Sequence, residues 1–196
     1  MKRLKVLDSD IEYIFEKDEN TGLISVTKND ELFIKSFKRI ILCGKMASGK
    51  DYLRECFVDN GFSKDISYTT RPIRANETNG VDYYFISIKE FEKKIKNNEM
   101  FEHTEFCGWF YGTTVKSWNN SDIFIFNPYG IKHIPEEDYN ESLIIYLDVN
   151  LDVRYNRLKK REMGYDSVER RIYSDYQDFQ DIKYHIKICD CKIEKL

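Results

Sequence analysis

Between Arg39 and Cys43 the chain carries an unbroken apolar run, Ile40-Ile41-Leu42-Cys43, and similar runs recur at Ile123–Asn127 and Leu143–Asp148. Runs this short, without polar alternation, mark strands buried on both faces of a parallel sheet. Helical segments fall between them. Lys50–Asn60 is predicted helical, ending at Gly61. Ser87-Ile88-Lys89-Glu90 reads as a capping box opening a helix to about Asn97. Asn150 to about Arg161 is a third helix, with Leu151, Val153 and Leu158 as its apolar positions, and Asp166–Asp181 a fourth. Shorter strands are predicted at Ile66–Tyr68, Val81–Ser87 and Tyr184–Cys189. Glu99–Phe106 and Trp109–Tyr111 flank Cys107-Gly108 as a hairpin. Strands separated by helices predict an α/β fold with right-handed crossovers.

Residues 1–38 follow another pattern. Ile11–Phe15 and Leu23–Val26 flank the turn-prone Asp18-Glu19-Asn20-Thr21-Gly22, which predicts a β-hairpin, with Glu31–Lys35 as a third short strand. This stretch reads as a β-rich extension without chemistry of its own, an appended packing or oligomer-contact element set before a second unit over 39–196.

Composition narrows the class. At 196 residues, 41% apolar and 15% aromatic, the chain has enough apolar mass for one domain with a sizeable core. A net charge of −3 gives no general drive toward nucleic acid or an anionic membrane. There is no long apolar run or signal-peptide pattern, so a soluble, cytoplasmic protein is expected. The five cysteines include no CxxC pair, which argues against a zinc ribbon or a disulfide framework. Cys189-x-Cys191 reads as one buried and one exposed strand residue.

The first apolar run leads into Gly44-Lys45-Met46-Ala47-Ser48-Gly49-Lys50-Asp51 and then a helix. This is the strand–loop–helix setting of a phosphate loop. Its glycines let backbone amides curl around an anion, the helix N-terminus adds its dipole, and Lys50 adds a full charge. The residues expected to bind a nucleoside triphosphate are therefore Gly44 to Asp51. Position 51 departs from the motif, which has Ser or Thr there.

Between Ile66 and Thr114 the chain reads Ser67-Tyr68-Thr69-Thr70-Arg71-Pro72-Ile73-Arg74, then Glu77, Gly80, Asp82-Tyr83, Phe85, Phe91, Phe101-Glu102, Gly108 and Tyr111-Gly112-Thr113-Thr114. In residue types and spacing this block resembles the guanylate kinase family. With the phosphate loop and the C-terminal arginines, the resemblance covers about Arg39 to Cys189. It implies a P-loop NTPase-type three-layer sandwich, with a small mixed α/β GMP-binding lobe (71–113) and a helical lid (about 155–171). It implies transfer of the γ-phosphoryl of ATP to GMP or dGMP, with Mg²⁺ as cofactor and no nucleic-acid or membrane partner.

The chemistry of the block agrees with that implication. Guanidinium forks suit a phosphate monoester, so Arg71 and Arg74 are expected on the acceptor phosphate. Tyr83 and Tyr111 offer phenolic donors to the same group. Glu102 is a carboxylate able to accept from N1–H and the 2-amino group of guanine, a donor pair that adenine lacks. Ser67 and Thr113 offer hydroxyls to O6, and Glu77 is expected to brace the arginine loop. Arg157 and Arg161 share a helical face at i,i+4. In the family, arginines placed like Arg157, Arg161 and Arg171 (which Arg170 adjoins) close over the triphosphate and stabilise the transferring phosphoryl group. Lys50, Arg71, Arg157, Arg161 and Arg171 are thus the expected catalytic set.

Three further positions depart from the family pattern. Ile125 and Asn127 stand where guanylate kinases have an acidic pair, so Asn127 is left to bind the acceptor without charge. Cys189-Asp190 replaces an Asn-Asp pair beside the adenine. Asp51 is a good hard-cation ligand and is expected to hold the metal. The alternatives are a kinase for another nucleoside monophosphate on the same frame, or a guanylate-kinase-like module that binds a protein and no longer catalyses.

Overall fold

The computed structural model describes residues 2–106, 108–160 and 167–194. In chain order the elements are β1 (Lys2–Asp8), β2 (Ile11–Lys17), β3 (Ile24–Lys28), β4 (Glu31–Phe37), β5 (Arg39–Gly44), α1 (Lys50–Asp59), β6 (Tyr68–Thr69), β7 (Tyr84–Phe85), α2 (Ile88–Lys96), β8 (Met100–Phe106), β9 (Trp109–Thr114), α3 (Val115–Asn120), β10 (Ile123–Ile125), α4 (Pro128–Lys132), α5 (Glu136–Asn140), β11 (Ser142–Leu147), α6 (Leu151–Lys159), α7 (Val168–Asp178), β12 (Ile186–Ile188) and β13 (Cys191–Glu194).

The three apolar runs form β5, β10 and β11 of a parallel sheet ordered β10-β5-β11-β12. Every residue of β5 and β11 is buried, because both faces are covered. Ile40 and Leu42 join Leu53 and Phe57 of α1 on one face. Ile41 and Cys43 join Trp118, Phe126 and Ile131 on the other. The chain leaves β5 for β10 on one side and then returns to β11 on the opposite side. That reversal opens a crevice at the C-terminal end of β5, where ligands bind in sheets of this kind.

The first 37 residues build more than a hairpin. β1 was not anticipated; it pairs with β2, and β13 adds to its other edge, giving an antiparallel sheet ordered β13-β1-β2-β3-β4. Its apolar face (Leu4, Val6, Phe15, Val26) shares one core with α1 and β5. Phe15 is fully buried and meets Phe57 of α1 edge-on, with ring centroids 5.1 Å apart. Phe15→Ala should lower the unfolding free energy by about 3–5 kcal/mol, in one urea transition. Two separate transitions, with only the first shifted, would mean that the sheets unfold independently.

A third sheet, β7-β6-β9-β8, carries the Ser67–Thr114 block. The strand predicted over Val81–Ser87 shrinks to Tyr84–Phe85. Before it the backbone turns, with Thr78 N donating to Asp82 Oδ2 (2.7 Å) and Gly80 N to Tyr83 O (2.8 Å). The aromatic content there serves packing and not a ladder. The capping box at Ser87 is present. Three short helices were not predicted. Two begin at side-chain caps, Thr114 Oγ1 accepting from Ser117 N and Asn127 Oδ1 from Gly130 N. Cys189 is exposed in the bend between β12 and β13 and is not a strand residue. Among the described residues no helix is long and apolar enough to cross a membrane.

Candidate active site

The loop from Gly44 to Gly49 joins β5 to α1. Gly49 has φ +98°, a conformation that side chains disfavour. A Cβ at Gly44 would stand 2.7 Å from Ser48 Oγ and 2.8 Å from Leu147 O, so only glycine lets the loop fold this tightly. Lys50 curls over it, donating to Gly44 O (2.6 Å) and Lys45 O (3.1 Å). Ser48 Oγ is buried without a hydrogen-bond partner among the described residues.

Two helices bring cations to this loop. Arg157 of α6 donates to Ala47 O (3.0 Å), and Arg171 Nη1 of α7 lies 3.2 Å from Met46 Sδ. Arg161 falls outside the described residues. Sequence reasoning missed the pair that binds these helices together. Arg154, one turn before Arg157, is buried and donates to Asp175 Oδ2 at 2.8 Å. Both Asp175 oxygens accept from Met46 N at 3.0 Å, so a carboxylate rests on an amide of the phosphate loop. Burial pushes the Asp175 carboxyl up, while the Met46 amide and Arg154 favour its charged form. No local spacing signals this pair, because Asp175 lies 21 residues from Arg154 and 129 from Met46.

Across the crevice, Arg71 is buried and forms a two-pronged bond to Glu77, 2.8 Å on each side. Arg74 is half exposed, 3.5 Å from the same carboxylate, and its backbone amide also donates to Glu77. Glu77 therefore braces the loop as anticipated. Although burial opposes its charge, the bonds from Arg71 and the Arg74 amide hold Glu77 below the usual carboxylate range. Tyr83 and Tyr111 face the same concavity, ring centroids 6.1 Å apart. Burial, with Asp51 next, pushes the Tyr83 hydroxyl up to about 12, so it stays a donor.

Glu102 of β8 is buried, with Oε1 accepting from Thr113 N at 3.1 Å. Burial pushes its carboxyl up to about 7; the Thr113 amide opposes the shift and the Asp65 charge adds to it. Ser67 and Thr113 stand beside it, their hydroxyl oxygens 3.4 Å apart. Asn127 lines the same cleft, but its side-chain oxygen is engaged in capping α4.

One cleft joins the two halves, running from Gly44 and Lys50 past Asp51 and Arg54 to Ser67 and Glu102. Arg54 was not anticipated. It is buried on α1, lines both this cleft and the Arg71 concavity, and lies 3.6 Å from Asp51. Its charge offsets the carboxylate that stands in for the motif's hydroxyl. Asp51 itself projects into the cleft with its side chain 68% exposed. That exposure fits a hard cation shared with phosphate oxygens, since Mg²⁺ takes only one or two protein carboxylates in such sites. Among the described residues no cluster of three His, Cys, Asp or Glu could hold a metal without such help. Behind the loop, a second hollow is lined by Ala47, Asn150, Val153, Arg157, Cys189 and Asp190. Its outer wall is fixed from the N-terminal sheet, because Asp8 Oδ1 accepts from Cys189 N (2.9 Å) and Asp190 N (2.6 Å).

Known proteins resemble this chain in sequence and in fold. Residues 36–161 match the family model for guanylate kinase. The guanylate kinase of Rickettsia bellii is 34% identical over 144 residues, covering 69% of this chain and 72% of that protein. That of Sus scrofa is 29% identical over 156 residues, 74% and 78% of the two chains. The crystal structure of guanylate kinase from Anaplasma phagocytophilum superposes with a TM-score of 0.56 at 22% identity, covering 81% of this chain and 79% of that one; at that identity the likeness speaks for the fold. With more than half its length matched by the family model, and a relative above 30% identity aligned over most of both chains, the chain belongs to the guanylate kinase family.

Proposed function

We propose that this protein transfers the γ-phosphoryl of ATP to GMP or dGMP. The observation that carries the reading is the single cleft with a phosphate loop and Lys50 at one end and Glu102 at the other. ATP would lie with its phosphates in the Gly44–Lys50 loop and its base in the hollow beside Asn150 and Asp190. The monophosphate would lie with its phosphate between Arg71, Arg74, Tyr83 and Tyr111 and its base against Glu102, Ser67 and Thr113. The acceptor phosphate is itself the nucleophile and is already ionised, so no strong general base is required. The protein's part is alignment and charge neutralisation. Lys50, Arg157, Arg171 and Arg54 supply cations around the transfer path. Residues 71–113 act as an acceptor lobe and residues near 155–171 as a lid. Their closure would exclude water and protect ATP from hydrolysis.

Asp51, with phosphate oxygens, would hold Mg²⁺, which supplies charge neutralisation at the β- and γ-phosphates. Asp175 must leave the Met46 amide when those phosphates arrive, since two anions cannot share one donor. Arg154 keeps it close by, so loop and lid exchange one anion for another.

A coupled ADP-release assay across GMP, dGMP, AMP, UMP and dTMP tests the reading. GMP or dGMP is expected to give the highest kcat/KM; a larger value with UMP or dTMP would overturn the substrate assignment. Calorimetry with ATP·Mg²⁺ separates the enzyme from a protein-binding module, which would give no binding heat. Asp51→Asn should raise the Mg²⁺ concentration for half-maximal rate by about tenfold or more. An unchanged requirement would remove Asp51 from the metal site.

A further inference from the structure

The turn that closes the hollow behind the phosphate loop is held from the far end of the chain. β12 ends at Ile188 in the parallel sheet, and β13 begins at Cys191 in the N-terminal sheet. Cys189 and Asp190 therefore carry the chain from one sheet to the other. Asp8, the last residue of β1 and the ladder partner of Cys191, pins that crossing. It is 7% exposed, and its Oδ1 accepts from both amides of the turn, Cys189 N at 2.9 Å and Asp190 N at 2.6 Å. Both turn residues line the hollow assigned to the base of the phosphoryl donor. Asp8 lies outside residues 36–161, the stretch that the family model matches.

We propose that Asp8 is a positioning residue for the phosphoryl donor: it fixes the Cys189–Asp190 turn and takes up its amide hydrogens, so that the hollow prefers a 6-amino purine to a 6-oxo purine. This deepens the guanylate kinase reading and rests on it. A backbone amide has one hydrogen. With both spent on Asp8, the turn keeps no backbone donor for a base. Apart from the weak S–H of Cys189, what it still offers is acceptors, the Asp190 carboxylate among them. The 6-amino group of adenine donates to such an edge. A 6-oxo group brings a second acceptor to it and is left unmatched. The N-terminal sheet thus shapes a wall of the donor site, through one carboxyl oxygen. Its docking does not depend on that oxygen. Lys17 of β2 also pairs with the buried Asp122, and the sheet's apolar face shares the core of α1 and β5.

The test compares ATP with inosine 5′-triphosphate, which differ only at C6 and N1. Dissociation constants with Mg²⁺ are measured by calorimetry on the full chain, beside the KM for GMP at saturating ATP and a urea melt. The unmodified protein is expected to bind ATP about tenfold or more tighter than the inosine nucleotide. Asp8→Ala frees both amides. It should weaken ATP by about tenfold and the inosine nucleotide by less, shrinking the preference about threefold or more, with the KM for GMP within about twofold of the parent. Asp8→Asn keeps an oxygen acceptor in place and should bring the ATP affinity back to within about threefold of the parent. An Asp8→Ala protein that binds ATP as the parent does would overturn the proposal. So would one that weakens both triphosphates by the same factor, or raises the KM for GMP as much as it weakens ATP, because a merely structural part acts in that way. If Asp8→Ala does not fold, Asp8→Glu replaces it. That variant keeps the charge and displaces the oxygen by one methylene, and an unchanged ATP affinity in it would equally dismiss the role of Asp8. An unmodified protein that binds neither triphosphate would sink the guanylate kinase reading itself, and this proposal with it.

Discussion

Lys50→Met is expected to lower kcat for phosphoryl transfer from ATP to GMP by about 10³-fold, or ~4 kcal/mol in the barrier. Lys50 Nζ now rests on two loop carbonyls, Gly44 O and Lys45 O. A carbonyl is a weaker partner for an ammonium than a phosphoryl oxygen, so the side chain is expected to exchange these contacts for the β- and γ-phosphates when ATP enters. The negative charge it meets is redistributed as the phosphorus moves, and a cation already in place lowers that barrier without reorganisation. Methionine keeps the length and the helix propensity of lysine at the first position of α1. The unfolding midpoint should therefore stay near that of the parent while turnover collapses. The measurement is ADP release with saturating GMP, beside a urea melt. Retention of more than a tenth of the parent rate would show that the loop is not the donor site.

The second large effect is at the base. Glu102→Gln should reduce kcat/KM for GMP by about 10²–10³-fold. The glutamine oxygen still accepts from Thr113 N. Its amide nitrogen, however, places donors against the N1–H and 2-amino donors of guanine. The sign of the pH effect follows from the raised carboxyl. In the proposed site, ionised Glu102 would accept both guanine donors, and protonation would remove one acceptor. Below about 7 the parent's kcat/KM for GMP should fall as pH falls, by about tenfold per unit, and above it should level off. Glu102→Gln should lack that acid limb. A parent profile flat from pH 5 to 8 would remove Glu102 from the guanine edge.

Much of the fold was legible along the chain because its signals are local. The apolar runs at β5, β10 and β11 specify strands buried on both faces whatever lies around them. The capping box at Ser87 closes over four residues. The phosphate loop is equally local, since two glycines, a lysine and a following helix set its shape by backbone geometry alone. Short helices such as α4 and α5 carry too few turns for a periodic signal. β1 and β13 were missed because they pair with each other, residues 5–8 against 191–194, across nearly the whole chain.

The candidate site divides in the same way. Glu77 could be assigned its bracing role because it lies six residues from Arg71. Asp175 could not be assigned, although it touches the phosphate loop, because its partner Met46 is 129 residues away. Asp65 and Arg54 read in sequence as ordinary charges near a helix, and only packing shows that both are buried against the cleft.

The order of residues by itself determined the strand–loop–helix phosphate site, the parallel α/β arrangement and the family, because each depends on residue types at short fixed intervals. Tertiary structure alone decided which acid meets which amide, which arginine is buried beside Asp51, and that Asp8 holds the Cys189–Asp190 turn. Hydrogen-bond direction and desolvation belong to groups that meet only after the chain has closed on itself, so no local spacing encodes them.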